Sequence, residues 1–351
     1  RRGVVRDDRL NDRRRTVHFS ICLATGFEGV MYPIPFCTPE DFATQAQLCE
    51  RLGYHSVWGN DHITTQGYVR DKFPGQTPNF YEPLITLSMC AQATDHIKLG
   101  TALLVMPMRE PVYLAKQVAT LDQLSGGRFI LGVGLGAYRE EFTAMSQRLA
   151  DAHRGNMLDE GIEAFLSLIR DARVSFDGAH YGFKNIEMMP KPKQDPFPLY
   201  IGGHNLAAVE RAARLGHGWL PGWRPFTELE ERIRLLKVRA AELGRAEDAV
   251  EIAPQFSMLL ARTDAEAEAR YMASGLVAHR VSLNYTGRNL GHQVTANLVG
   301  SPATVIEKIA KLQAFGVDHC SALMIPVDTV AEMNEQIEWF AADIMPKFPT
   351  I

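Results

Sequence analysis

Residues 52–58 of this chain read Leu52-Gly53-Tyr54-His55-Ser56-Val57-Trp58, and a run with the apolar spacing of a helix precedes them. Residues 215–220 and 315–323 repeat this order of helical pattern, bulky apolar residue, glycine and short apolar run. We interpret Gly53, Gly216 and Gly316 as left-handed residues that each end a helix before a buried parallel strand begins. The sequence therefore repeats an αβ unit.

The helix before the first of these glycines is predicted to begin at Pro39, because proline is favoured at the first helical position. Thr38 is the expected N-cap, and Glu40 and Asp41 suit the positive end of the helix dipole. The residues expected to face the core recur at helical spacing and are Phe42, Ala46 and Cys49.

The same alternation continues along the chain. We place strands near residues 18–25, 55–60, 97–105, 128–135, 198–202, 217–221, 251–261 and 318–325. Eight strands that alternate with helices predict an α/β fold, a (β/α)8 TIM barrel, as a single domain over residues 17–351. Insertions are expected before strand 5, at residues 174–198, and before strand 8, at residues 263–300, because these connections are unusually long.

The composition favours small-molecule chemistry over binding to nucleic acid or membrane. The formal net charge is -4 and the pI is near 6.3, so the chain as a whole does not attract polyanions. No apolar run approaches the roughly 18 residues of a membrane span and no secretory signal is recognised, so a cytoplasmic location is expected. The arginine-rich tail, residues 1–16, is expected to be solvated or docked on a partner subunit rather than to bind nucleic acid.

A carboxylate and an imidazole stand together at the end of the second predicted strand, as Asp61 and His62. TIM barrels place catalytic groups at the carboxyl ends of their strands, so we predict that this pair is catalytic. The alternative is that Asp61 caps a turn and His62 only packs. No metal site is predicted, because His18 lies at the opposite end of the barrel and the remaining histidines are isolated. A metal-dependent barrel hydrolase is nevertheless one alternative function.

Glycines of the fourth and fifth strands predict a site for a flat ligand with a phosphate group, such as a flavin. Gly132, Gly134 and Gly136 alternate, so they share one face of a strand, and we interpret them as clearing space for a planar group. Their spacing is not that of a Gly-x-Gly-x-x-Gly dinucleotide loop. The turn Gly202-Gly203-His204-Asn205 precedes a predicted helix, a geometry that suits an anion. A tight turn that simply requires glycine is the alternative.

The chain resembles the luciferase-like family, the superfamily of bacterial luciferase, whose members are oxidoreductases dependent on flavin or deazaflavin. The segments that carry the resemblance are residues 52–58 with Asp61-His62, and residues 99–103, 115–128, 201–203 and 218–219. The resemblance implies that the cofactor ring stacks over Thr101-Ala102-Leu103, with a non-prolyl cis peptide bond at Ala102–Leu103. It also implies that Asp61 and His62 lie near the ring edge and that the 202–205 turn contacts the phosphate.

The resemblance leaves the cofactor open between reduced FMN, which supports monooxygenation, and F420, which exchanges a hydride. Asp61-His62, in place of a Glu-His-His motif, leans toward F420. Ala137 replaces an acidic residue, and residues 64–66 replace a tryptophan, of the dehydrogenases that oxidise sugar phosphates with F420, which argues against glucose 6-phosphate as substrate. We find no nicotinamide site, so a separate flavin or F420 reductase is implied.

The resemblance further implies a small organic substrate next to the ring, with His62 as proton donor or hydrogen-bond partner of the reacting centre. The residues expected to contact the substrate are Trp223, Arg224, His279, Arg280, Asn284 and Tyr285. Ordinary packing of a lid explains the aromatic residues among them equally well. A non-catalytic flavin-binding protein is the other alternative function, and the family resemblance implies a homo-oligomer.

Overall fold

The computed structural model describes residues 16–282 and 290–348. The strands are β1 His18–Cys22, β2 Ser56–Gly59, β3 Lys98–Thr101, β4 Leu104–Val105, β5 Phe129–Gly134, β6 Val174–Asp177, β7 Gly182–Ile186, β8 Leu199–Gly202, β9 Gly218–Leu220, β10 Glu251–Ile252, β11 Gln255–Leu260, β12 Leu298–Gly300 and β13 His319–Met324. Parallel pairing runs through β1, β2, β3, β5, β8 and β9 to β10, and from β11 through β13 back to β1. The predicted α/β barrel is therefore confirmed.

Two of the eight barrel positions are occupied by strands in two parts. β3 and β4 both pair with β5, and Ala102 and Leu103 between them are joined by a cis peptide bond, as the family resemblance implied. β10 pairs with β9 and β11 pairs with β13. Between β10 and β11, the carbonyl of Pro254 accepts a hydrogen bond of 3.0 Å from the Ser321 N–H, so the barrel is closed.

The helices lie in the connections between the strands. They are α1 Pro39–Arg51, α2 Gly67–Lys72, α3 Pro83–Ala93, α4 Pro111–Leu124, α5 Arg139–Met145, α6 Gln147–Ala150, α7 Arg154–Arg170, α8 Leu206–Leu215, α9 Phe226–Glu242, α10 Asp264–Ala273, α11 Gly275–Ser282, α12 Pro302–Phe315 and α13 Val330–Asp343. The prediction for α1 is confirmed: Thr38 is its N-cap, and the Thr38 N–H donates to Asp41 Oδ2 at 2.8 Å. None of the described helices combines the length and the apolar character that crossing a membrane requires.

The three helix-ending glycines are not alike. Gly53 has φ +80° and Gly316 has φ +92°, the left-handed conformation that was predicted. The prediction is wrong for Gly216, whose φ is -81°. A side chain there would place its Cβ 3.0 Å from the carbonyl oxygens of both Ala212 and Gly218, so close packing, and not backbone conformation, explains this glycine.

Extra elements lie in two of the connections. Between β5 and β8, the antiparallel pair of β6 and β7 follows α5, α6 and α7. Between β11 and β13, the chain forms α10, α11, β12 and α12, and β12 pairs with the second half of β11. Lys308 of α12 donates from Nζ to the carbonyls of Val294, Asn297 and Val299 at 2.8–3.0 Å, and so ties α12 to the chain around β12.

Side chains of the barrel strands alternate between two cores, as the period of a strand requires. On β1, Phe19 and Ile21 belong to the large core shared with the helices. Cys22 belongs to a second cluster, which contains Trp58 and Tyr200 with their ring centroids 5.9 Å apart and fills the barrel interior. The five cysteines are all buried and have free thiols. Above this cluster, the carboxyl ends of the strands surround a cavity.

Candidate functional site

A cavity of about 310 Å³ opens at the carboxyl ends of β2, β4, β5, β8 and β9. Its wall includes all but two of the residues predicted to be catalytic or to bind the cofactor, namely Asp61, His62, Ala102, Leu103, Gly136, Gly202, Gly203, His204 and Asn205. Residues that the sequence prediction did not include also line it, among them Phe27, Asn60, Ala137 and Gln255. Residues from separate βα loops therefore converge as the barrel prediction required.

Thr101 and Gly134 are the two exceptions, because neither lines the cavity. The Thr101 hydroxyl is buried between strands, where Oγ1 donates to the Gly132 carbonyl at 2.8 Å and accepts from the Gly132 N–H at 3.0 Å. A Cβ at Gly134 would lie 2.7 Å from Leu103 Cδ1, and one at Gly202 would lie 2.1 Å from the same atom. Leu103 thus occupies the space that a side chain at Gly134 would take.

Asp61 is held in a buried ion pair. Its Oδ2 accepts from the Val105 N–H at 2.8 Å and from Arg109 Nη1 at 2.5 Å, and its Oδ1 accepts from Arg109 Nη2 at 3.0 Å. Burial by itself lowers the pKa of Arg109, but Asp61 and Glu82 outweigh burial and raise that pKa above its ordinary value. Both oxygens of Asp61 thus have hydrogen-bond partners. Asp61 therefore ties the loop after β2 to the backbone at Val105, which follows the cis peptide bond.

His62 has a carboxylate partner that the sequence prediction missed. Its Nδ1 lies 3.2 Å from Glu141 Oε2 and 3.0 Å from Gln66 Nε2. Glu141 is buried, and its Oε1 also accepts from the Ile63 N–H at 2.9 Å. Ala137 stands where an acidic residue would directly follow the glycines of β5. Glu141, four positions further along the chain, contacts the imidazole instead. The sequence signal for it was an acidic residue in the first turn of α5.

Asn60 is a second residue that the prediction missed, although it directly precedes Asp61-His62. The Gly26 N–H donates to Asn60 Oδ1 at 2.9 Å, which fixes the orientation of the amide. Asn60 Nδ2 is then buried without a hydrogen-bond partner among the described residues. A buried donor left unsatisfied is costly, so this part of the wall suits a ligand with an acceptor atom.

A second cavity, of about 190 Å³, adjoins the first and shares Phe27, His204 and Gly222 with it. Its wall includes four of the residues predicted to contact substrate, Trp223, Arg224, His279 and Arg280. Asn284 and Tyr285 lie outside the described residues, as does the arginine-rich tail up to residue 15.

An aromatic side chain links the two cavities. The Tyr138 hydroxyl lies 2.7 Å from Nε2 of His279, in the wall of the smaller cavity, and its ring centroid lies 5.6 Å from that of His62, in the wall of the larger. Tyr138 thus contacts one histidine from each cavity. Its side chain connects the walls of the two cavities.

The turn between β8 and α8 has the geometry of a tight strand-to-helix connection. Gly203 has φ +108°, which favours glycine, and its carbonyl accepts from Trp219 Nε1 at 2.9 Å. Asn205 is the N-cap of α8, and its side-chain oxygen accepts from the Ala208 N–H at 2.8 Å. These features meet the requirements of the turn itself, and binding of a phosphate here stays a prediction.

The amino end of the barrel carries a separate buried cluster of titratable groups. The rings of His18 and His55 stack with centroids 4.3 Å apart, and His319 Nδ1 lies 2.9 Å from Glu251 Oε1. Burial, and next the neighbouring His319, lower the pKa of His55 to about 2. Burial raises the pKa of Glu251, but hydrogen bonds from His319 and Tyr200 outweigh it and lower that pKa to about 2.

Within residues 16–282 and 290–348, no group of three or more His, Cys, Asp or Glu side chains is placed to hold a metal ion.

Comparison with known proteins adds a family and several relatives. Residues 17–319 match the family described as luciferase-like monooxygenase. The FMNH2-dependent dimethylsulfone monooxygenase of Pseudomonas putida is 26% identical over 330 residues, which cover 86% of this chain and 85% of the relative. The F420-dependent glucose-6-phosphate dehydrogenase of Microbacterium testaceum is 29% identical over 216 residues, which cover 61% of this chain and 62% of the relative.

A solved structure shares the fold. The monooxygenase RslO1 from Streptomyces bottropensis superposes with a TM-score of 0.77 at 22% sequence identity, over 95% of this chain and 100% of that chain.

Proposed function

The chain belongs to the luciferase-like monooxygenase family of oxidoreductases, and from this premise we propose that it binds reduced FMN or F420 in the larger cavity. A small organic substrate, oxidised or reduced there, occupies the smaller cavity beside it. The observation that carries the proposal is the shared wall of the two cavities, because it brings two ligands into contact at the strand ends.

The residues of the larger cavity fit such a cofactor. The buried Nδ2 of Asn60 needs an acceptor, and flavin and deazaflavin rings carry carbonyl oxygens. Ala102, Leu103 and Gly202 line the cavity together, so a flat ring would meet small or apolar groups there. When bound, reduced FMN would supply the electrons that activate oxygen, and F420 would supply or accept a hydride.

We assign the residues around the cavity different tasks. His62 is the proton donor or hydrogen-bond partner of the reacting centre through Nε2, because its Nδ1 already faces Glu141 and Gln66. Glu141 and Asp61 are positioning residues, Glu141 for the imidazole and Asp61 for the backbone at Val105. The aromatic rings of Phe27 and Phe80, with centroids 6.4 and 5.5 Å from that of His62, exclude water from its side.

Titration of the purified protein with FMN and with F420, in both redox states, tests the proposal. One of the two should bind in the micromolar range, and uptake of oxygen by the loaded protein would separate monooxygenation from hydride transfer. Failure of both cofactors to bind would remove the proposal. Reduction that depends on an added reductase, with no oxidation of NADH or NADPH by the protein alone, would support a separate reductase as partner.

A variant that blocks the cavity shows whether binding occurs at this site. Ala137 is exposed at the cavity rim, so Ala137→Trp should obstruct the entrance without disturbing the core and weaken cofactor binding by about tenfold, or about 1.4 kcal/mol. Ala265 is equally exposed on α10 and does not line the cavity, so Ala265→Trp is the matched control. Equal affinities for the two variants would place the cofactor elsewhere.

A further inference from the structure

The wall of the smaller cavity combines an apolar part with a basic part. The apolar part includes Met31, Trp223 and Met324. The basic part consists of His204, Arg224, His279 and Arg280, and no aspartate or glutamate is among the described residues that line the cavity. Such a wall differs from the rest of a chain whose formal net charge is -4.

Arg280 is held rigidly in this wall. It is only 3% exposed, its Nη1 donates to the Tyr271 hydroxyl at 2.5 Å, and its Nη2 donates to Ser257 Oγ at 2.8 Å. The guanidinium carbon lies 4.7 Å from the ring centroid of Trp223. These three groups orient the guanidinium.

The segment that brings Arg280 to the cavity is itself basic. Residues 274–306 contain no aspartate or glutamate, whereas they contain Arg280, Arg288, His279 and His292. The other guanidinium of the wall belongs to Arg224, whose Nε lies 3.9 Å from Oε1 of Glu228, a side chain that is 35% exposed. An ion pair at that distance and exposure contributes little.

We propose that the smaller cavity binds an organic anion, with the charged group against Arg224 and Arg280 and an apolar body against Trp223 and the methionines. This inference rests on the proposed function, because it gives the substrate class of the same site. A carboxylate, sulfonate or phosphate group would form charge-assisted hydrogen bonds with the guanidinium groups.

Binding of two matched probes to the cofactor-free protein tests the charge requirement. Phenylacetate and phenylacetamide share an apolar body and differ in charge, and isothermal titration calorimetry measures both. Phenylacetate should bind at least about tenfold more tightly, equivalent to about 1.4 kcal/mol. Inorganic sulfate and phosphate should compete with it. Equal affinity for the two probes, or no binding of phenylacetate, would overturn the inference.

Arginine variants locate the site. Arg224→Gln and Arg280→Gln should each weaken phenylacetate binding by about tenfold, and Arg280→Lys should retain more of it because the charge remains. Arg234 is exposed on α9 and does not line the cavity, so Arg234→Gln should have no effect. Because Arg280 is buried and its replacement can impair folding, Arg224→Gln decides the result if Arg280→Gln does not fold. An unchanged affinity in folded Arg224→Gln would overturn the inference.

Saturation with FMN or F420 separates a substrate site from a site for the charged tail of the cofactor. Phenylacetate should still bind to the loaded protein. If the cofactor displaces it competitively, the basic wall holds the cofactor and the inference fails. If phenylacetate binds as described while neither cofactor binds, the anion site stands and the proposed function fails, so the two failures are distinguishable.

Discussion

Asp61 and His62 are neighbours in the sequence but have different surroundings in the fold. The sequence predicted that both would lie at the end of β2, and the structure places both in the cavity wall. Their separate tasks could not be predicted, because the partners that define them, Arg109 and Glu141, are 48 and 79 positions away in the chain. Local signals give the strand end on which a residue lies, whereas its partners depend on which loops the barrel brings together.

Asp61 provides a test at this scale, because a catalytic group and a structural ion pair respond differently to removal of the charge. Asp61→Asn keeps an acceptor for the Val105 N–H but leaves the Arg109 guanidinium, 13% exposed, without its bidentate partner. We expect the free energy of unfolding, measured by denaturant titration, to fall by about 3 kcal/mol.

Glu82→Gln is the matched control for Asp61→Asn, because Glu82 also pairs with Arg109 but its side chain is 36% exposed. This control should cost less than about 1 kcal/mol. Wild-type stability of Asp61→Asn would show that the ion pair does not hold the loop.

At the scale of elements, glycines could be located from the sequence, but the atoms that require them could not. Gly53 and Gly316 end helices in the left-handed conformation, which is a local property and was predicted. Gly134 and Gly202 are instead needed because Leu103, 31 and 99 positions away in the chain, packs closely against them, and Gly216 is needed because two nearby carbonyl oxygens leave no room for a Cβ. The break between β3 and β4 thus explains glycines on two other strands, since Leu103 packs against both.

Gly202→Ala tests this packing. The new Cβ would lie 2.1 Å from Leu103 Cδ1, so the variant should lose about 2 kcal/mol of unfolding free energy through overpacking. Gly182→Ala in β7 is the control, because the nearest atom to the new Cβ, the Phe176 carbonyl oxygen, would lie 3.8 Å away.

The double variant Gly202→Ala/Leu103→Ala should recover part of the loss relative to the sum of the two single variants, and a double-mutant cycle measures this coupling. Additive losses would mean that Leu103 is not the neighbour that requires glycine at this position.

For the molecule as a whole, the barrel class and the strand order could be predicted because each αβ unit carries its own signals. The side-chain contacts inside the barrel could not be predicted, since they depend on residues from many strands at once. The amino end is closed by a hydrogen-bonded cluster around Glu251 and His319, and the carboxyl end opens into the cavities. The structure thus places buried ionisable groups at both ends, but only those at the carboxyl end adjoin the proposed ligands.

The amino-end cluster should make the stability of the fold depend on pH. His55 has a folded pKa near 2 against an ordinary value of 6.5, so its neutral form is favoured by folding and the unfolded chain binds more protons below pH 6.5. Its contribution to stability is therefore present above that value and is lost as the pH falls. We expect a loss of about 2 kcal/mol between about pH 7.5 and pH 5, measured by denaturant unfolding at each pH.

Two variants isolate the part of this pH dependence that belongs to His55. His55→Gln should flatten the profile, and His96→Gln, which replaces an exposed histidine, should leave it unchanged. A profile that falls as steeply in His55→Gln as in the wild-type chain would assign the effect to other groups.

The two cavities share three wall residues but differ in one segment of the chain. Strand ends and short loops surround the larger one, whereas Leu276, His279 and Arg280 of the smaller one come from α11, in the long connection before β13. In the history of a protein family, these parts can change at different rates. On the proposed function, replacement of this surface segment would change the substrate of a descendant, while the strand ends beneath it were inherited unaltered.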